Sequence, residues 1–245
     1  MEQFFTAYIL TLVILVPGAV VAFFAINAPA SGLGPKDIPQ MLLGLGLFLG
    51  LWHAAATLVA TSGAMGTALV PYAPPTVGLF FIGGGLLLFA LGLSLSSFRR
   101  VIDHMGQRYF MGFQGFRVLG FVFLIGAITG DIPLIFAIPA GLGDIWAGIM
   151  GIRAARAVAA KAPDAARKVR QANTVGLLDF AVALGTGLIT SETAYQLVAH
   201  DAPNAVGFYP LVMIPAMLVP LFFAAHLFSI RALKRSANQA LPTLA

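Results

Sequence analysis

Apolar runs of about twenty residues recur along the whole chain. Each is long enough to cross roughly 30 Å of hydrocarbon as a helix. Their ends predict seven helices, at about 4–26, 41–63, 76–98, 109–129, 132–152, 173–194 and 207–230. The polar interruptions support these cuts. Asn27 to Gly32 follows the first run, Pro71 to Pro75 follows the second, and Gly130-Asp131 separates the fourth from the fifth. That last interruption is so short that spans four and five must form an antiparallel hairpin. The expected fold is all-α and polytopic. No stretch outside the runs is long enough for a soluble domain, so residues 1–245 read as one transmembrane domain.

The placement of charge turns this pattern into a topology. Arg99, Arg100 and Arg108 lie between spans three and four, Arg153 to Arg170 between five and six, and Arg231, Lys234 and Arg235 after seven. Lys36 lies between one and two. A seven-span path puts all of these on one side and Glu2, Asp131, Glu192 and Asp201 on the other. Basic loops stay in the cytoplasm. The N-terminus is therefore expected outside and the C-terminus inside. The first run lacks Lys and Arg before it and is too long for a signal peptide, so it reads as a retained helix.

Composition agrees. Hydrophobic residues make up 59% and charged residues 9%, against about 25% charged in a soluble domain. The net charge of +5 sits in short loops beside helices, which is not a nucleic-acid pattern. The expected partner is the lipid bilayer, with a small-molecule or lipid ligand inside it. There is no cysteine, which excludes disulfides and thiolate metal sites. The Ala- and Gly-rich composition points to a bacterial inner membrane.

A parallel repeat of helical hairpins is visible in the second half. At a constant offset, Gln114, Val118, Phe123, Thr129 and Gly130 meet Gln171, Val175, Phe180, Thr186 and Gly187. At a larger offset, Pro139-Ala140 meets Pro215-Ala216, and Ile152-Arg153-Ala154 meets Ile230-Arg231-Ala232. Spans four-five and six-seven then read as two copies of one unit, as in several carriers. The alternative is coincidence in low-complexity apolar sequence.

Three ionisable residues break the apolar runs: Arg117, Asp144 and Asp179. A charge at bilayer depth costs at least about 2.5–3.5 kcal/mol, so such residues face a bundle interior. Counted at 1.5 Å per residue, Arg117 and Asp144 lie about 12 Å from the cytoplasmic ends of their spans and Asp179 about 9–10 Å. They can meet if spans four, five and six adjoin. Gln114 shares a face with Arg117, and Asn173 and Gly176 share one with Asp179. His226 reads about 6 Å deep and His53 about 18 Å, too far apart for a bis-histidine haem. Trp146 is a candidate pocket wall. The candidate substrate or proton site is therefore Arg117, Asp144, Asp179, Gln114, His226, His53, Trp146 and Asn173. Its competitor is an ion pair that only fixes helix packing.

Seven spans with an outer N-terminus resemble rhodopsins, but span seven has no Lys for a retinal Schiff base. No HExxH, GxSxG, P-loop or Cys/His cluster is present. The stretches Gln114-x-x-Arg117-x-x-Gly120, Pro139-Ala140-Gly141-x-Gly143-Asp144 and Asn173-x-x-Gly176-Leu177-Leu178-Asp179 resemble uncharacterised bacterial seven-helix integral membrane proteins. That resemblance implies no named activity. Three functions follow in order of preference. They are a carrier of a small solute or protons, a non-transporting binder or accessory subunit holding a lipid, quinone or pigment, and an intramembrane enzyme. No motif names a cofactor or a catalytic or metal-binding residue.

Overall fold

The structure, a computed structural model, describes residues 2–66, 68, 70, 72, 73 and 75–239. The predicted breakers Pro71 and Pro74, and the side chain of Glu2, lie outside the described residues. Helix α1 is Glu2–Asn27 and α2 is Asp37–Thr61. A π-helical turn, Leu79–Gly83, leads into α3, Gly84–Ser94, and α4 is Ser96–His104. Helix α5 (Gln107–Phe113), a 3-10 stretch (Gln114–Phe121) and α6 (Val122–Thr129) follow one another without a break. Then come α7 (Leu134–Ala159) and α8 (Ala165–Ile189). After a long loop, a second π-helical turn, Ile214–Leu218, leads into α9, Val219–Gln239. The described residues contain no strand, only one bridge between Ala68 and Pro75.

Six helical stretches are long and apolar enough to cross a membrane, or seven if α3 and α4 count as one bent span. Their outward residues suit lipid: Leu51, Leu58 and Ile128 are 71%, 72% and 86% exposed.

Most span boundaries need correction. The third span is not a straight helix over 76–98. It starts at Leu79, and the chain bends by 96° between Ser94 and Ser96. Leu95 is extended there, with ψ 116°. Helix α4 turns away because it is amphipathic. Val101 and Ile102 are buried while Arg99, Arg100 and Asp103 are exposed, the pattern of a helix lying at an interface. Helices α7 and α8 run past 152 and begin before 173, because Ala-rich, Arg-bearing sequence continues a helix after the apolar run has ended. Helix α8 stops at Ile189 rather than 194, and the last helical segment begins at Ile214 rather than 207. Residues 190–213 instead form a loop tied down by its own polar groups. Asn204 Nδ2 donates to Thr190 Oγ1 at 2.8 Å, and the Ala205 N–H donates to the Asp131 carbonyl at 3.0 Å.

The predicted hairpin between spans four and five is present. Gly130 closes α6 with φ 80°, and the N–H groups of Asp131 and Ile132 both donate back to the Gly126 carbonyl. This is a glycine-terminated helix end, and Pro133 precedes α7. Helix α7 is the central element. It packs along α8 on one side and along α5, the 3-10 stretch and α6 on the other, while α3 lies against α9. Small residues set this closeness. A Cβ at Gly148 would come within 2.8 Å of the Val118 backbone nitrogen, and one at Gly151 within 2.7 Å of the Met111 carbonyl oxygen.

The two ends of the bundle differ in charge. Arg231 and Arg235 of α9 both pair with Asp103 of α4, pinning α4 across the basic end. At the opposite end the Tyr195 hydroxyl donates to the Tyr72 carbonyl at 2.6 Å, which joins the loops after α2 and α8.

Candidate functional site

Arg117 is carried by the 3-10 stretch, where residues three apart eclipse one another. Gln114 and Arg117 therefore project together, and both are fully buried, at 0% and 2% exposed. The switch from α to 3-10 winding disturbs the hydrogen-bond ladder, and backbone groups inside a membrane protein need partners. The Tyr8 hydroxyl of α1 supplies one, donating to the Leu119 carbonyl at 2.6 Å. Gln114 Nε2 reaches the Phe222 carbonyl at 3.1 Å, while its Oε1 has no partner among the described residues.

The Arg117 guanidinium is the hub. Nε donates to Asp144 Oδ1 at 2.9 Å, and Nη2 pairs with Asp179 Oδ2. Nη1 donates to the Gly176 carbonyl at 3.2 Å and faces His226 Nε2 at 3.3 Å. The guanidinium carbon lies 4.0 Å over the Phe180 ring, a cation–π contact. Arg117 thus binds both acids rather than one, and the predicted meeting of spans four, five and six is present. Glycines leave room for it. Added Cβ atoms at Gly120 and Gly143 would meet Asp144 and Asp179, and one at Gly176 would meet His226 and Arg117.

His226 joins this hub, although its counted depth was shallower. Helix α9 runs on to Gln239, well past the predicted end at 230, so that count started from the wrong place. Arginine can only donate, so His226 Nε2 must accept. Nδ1 then carries the proton and donates to Asn173 Oδ1 at 2.8 Å. The chain continues in one direction. Asn173 Nδ2 donates to Ser229 Oγ at 2.8 Å, and Ser229 Oγ donates to Gln107 Oε1 at 2.7 Å. A polar ladder therefore runs from the hub to the basic end. Neither Ser229 nor Gln107 was expected; a hydroxyl three residues after His226 carries no charge signal. Two expected residues lie elsewhere. His53 sits on α2 apart from the hub, with Nδ1 buried and unpartnered among the described residues. Trp146 points the other way from Asp144 and is 59% exposed.

Asp144 and Asp179 line a cavity of about 520 Å³. Its walls are apolar, including Phe81, Phe123, Phe136 and Leu184, and its far end reaches Ser191, Glu192 and Asn204 in the loop opposite the basic end. Both π-helical turns contribute, through Leu79, Phe81, Ile82 and Gly83 from the first and Pro215 from the second. The cavity beside the acids is thus apolar with a carboxylate floor, and it extends away from the basic end. A space of about 20 Å³ lies behind Asp144 and Arg117, room for about one water. A third cavity, of about 240 Å³, is lined by Phe23, Phe48, Leu88, Phe110 and Phe228 and touches neither acid.

Residues 74–234 match a family model described as a domain of unknown function (DUF8737). No curated protein matches the chain, and no solved structure does.

Proposed function

The chain belongs to the DUF8737 family, and we propose that it is a multi-pass membrane carrier in which a small cationic solute and protons share the Asp144–Asp179 floor. The observation that carries this reading is a charge count beside a cavity. Two carboxylates face one guanidinium, and His226 is committed as a neutral acceptor. With both carboxyls ionised, one negative charge is left over, and a buried uncompensated charge is costly. A proton or a cation arriving through the cavity offsets it. Competition between the two couples their movements. The apolar walls favour a solute with an apolar body and a cationic head.

In this reading the basic end is cytoplasmic by the positive-inside rule, the N-terminus is outside, and the cavity faces outward. A bacterial inner membrane fits that arrangement. The ladder from His226 to Gln107 closes the cytoplasmic path, and the close-packed glycines of α7 give the hairpins surfaces on which to slide. The parallel repeat supplies the two halves that would rock. It is supported by the residue matches and by Phe123 and Phe180, which both line the cavity. Gln114 and Gln171 no longer correspond in environment, since the first is buried and the second exposed.

The binder reading has its own support in the third cavity, whose predominantly apolar lining suits an acyl or isoprenoid chain. The enzyme reading loses its base, because both His226 nitrogens are engaged and the ring lines none of these cavities. The test is reconstitution in liposomes carrying an internal pH dye. Lipophilic organic cations added outside should drive proton release from wild-type vesicles, and Asp144→Asn or Asp179→Asn should abolish it while folding normally. No proton movement with any cation, together with a stoichiometric apolar molecule extracted from the pure protein, would replace the carrier with the binder.

A further inference from the structure

A second ligand site lies on the outside of the bundle. A groove of about 570 Å³ runs between α7 and α8 at the basic end. Its walls carry Arg153 from α7 and Arg167, Lys168 and Arg170 from α8. Deeper along the same groove lie Trp146 and Thr174. None of these residues touches the Arg117 hub.

The groove is a net cation. Asp164 pairs with Arg167 at 3.1 Å and with Lys168 at 3.2 Å, but it is one acid among four bases. Arg153 and Arg170 are exposed and have no ion-pair partner among the described residues. The second observation is Trp146, a large aromatic left 59% exposed on a helix whose neighbouring faces are packed. Seven residues separate it from Arg153, so it sits about 10 Å deeper along the helix axis. Counted from the predicted span end at 152, it lies about 9 Å inside the membrane, where an exposed ring faces acyl chains. From the end inward the groove therefore presents cations, a hydroxyl at Thr174, and then an aromatic wall. A phospholipid has the complementary order of phosphate, ester and acyl chain. Basic clefts between spanning helices on this side of a membrane suit anionic headgroups.

We propose that the groove between α7 and α8 is a binding site for one anionic phospholipid, its phosphate held by Arg153 and Arg170 and its upper acyl chain lying on Trp146. A free phosphate would satisfy the cations but leave the aromatic half of the groove unused. The groove lies between the two helices that carry Asp144 and Asp179, so its occupant bridges the helices that form the cavity floor.

The chain has two tryptophans, so Trp52→Phe makes Trp146 the sole reporter. The full-length protein is placed in phosphatidylcholine nanodiscs containing either brominated phosphatidylglycerol or brominated phosphatidylcholine at equal mole fraction. Brominated phosphatidylglycerol should quench Trp146 at a much lower mole fraction. Arg153→Gln with Arg170→Gln should weaken that preference about ten- to thirty-fold, from roughly 1 kcal/mol per basic residue. Arg156→Gln with Lys161→Gln removes the same charge from the same end outside the groove, and should change it less than about three-fold if binding is local, since exposed charges act only within about a Debye length. All these side chains are exposed, so folding should survive, and an unchanged thermal midpoint checks it. Equal quenching by the two lipids, equal losses in the two double variants, or relief of quenching by millimolar inorganic phosphate would each overturn the proposal.

Discussion

Removing Arg117 tests the hub most directly. In Arg117→Ala, Asp144 and Asp179 lose their shared cation, and the Gly176 carbonyl and His226 Nε2 lose their donor. Breaking a buried pair from one side costs about 3–5 kcal/mol. The hydrogen bonds give the same scale, since bonds to charged groups are worth about 1.5–3 kcal/mol each. For a chain of this size each kcal/mol moves the thermal midpoint by about 2–4 °C, so the drop should be roughly 6–20 °C. The assay is heating of the solubilised protein, followed by the monodisperse fraction remaining on size exclusion. The triple variant Arg117→Met, Asp144→Asn, Asp179→Asn removes every charge of the hub together. It should recover most of the loss, because the penalty comes from stranded carboxylates rather than from the absence of an attraction. A single variant that melts with wild type would refute the reasoning. So would a triple variant as unstable as the single.

Two further outcomes follow from the ends of the bundle. The chain has no native cysteine, so Ala165→Cys and Ala202→Cys report topology cleanly. An impermeant maleimide should label only the second in intact cells, and labelling of both or neither from outside would reverse or break the proposed orientation. At the basic end, burial raises the Asp103 carboxyl, but hydrogen bonds and charge from Arg231 and Arg235 outweigh it and hold the value below the ordinary carboxylate range. Its stabilisation is then complete above the unfolded carboxylate value and lost as pH falls through the lowered folded one. The side chain is 25% exposed, so the worth is at most about 1 kcal/mol. Asp103→Asn should lower the midpoint by a few degrees at neutral pH, and the gap from wild type should close in acid.

Much of the architecture is a one-dimensional property of the chain. Apolar runs long enough to span hydrocarbon, cut by Gly, Pro and charge, dictate helices and nearly their number. The hairpin at Gly130 is equally local, because glycine takes the left-handed turn that ends α6 there without steric cost. Arg117, Asp144 and Asp179 were also legible, since hydrocarbon makes any charge within it conspicuous. Other features depended on what packs against what. Nothing between Ser94 and Ser96 breaks a helix by itself. The bend arises because α4 has one apolar face to bury and Asp103 to hand to Arg231 and Arg235. Helix ends beyond the membrane outrun the apolar runs, because hydropathy records the bilayer, not the hydrogen-bond ladder. His226, Ser229 and Gln107 join the site through contacts across more than fifty residues of sequence. Trp146 leaves it because two positions on from Asp144 a helix has turned to its other side. Composition and spacing determined that the chain carries a buried charge layer. Only the tertiary packing decided that both acids share one arginine, that both line an apolar cavity, and which neutral side chains complete the network.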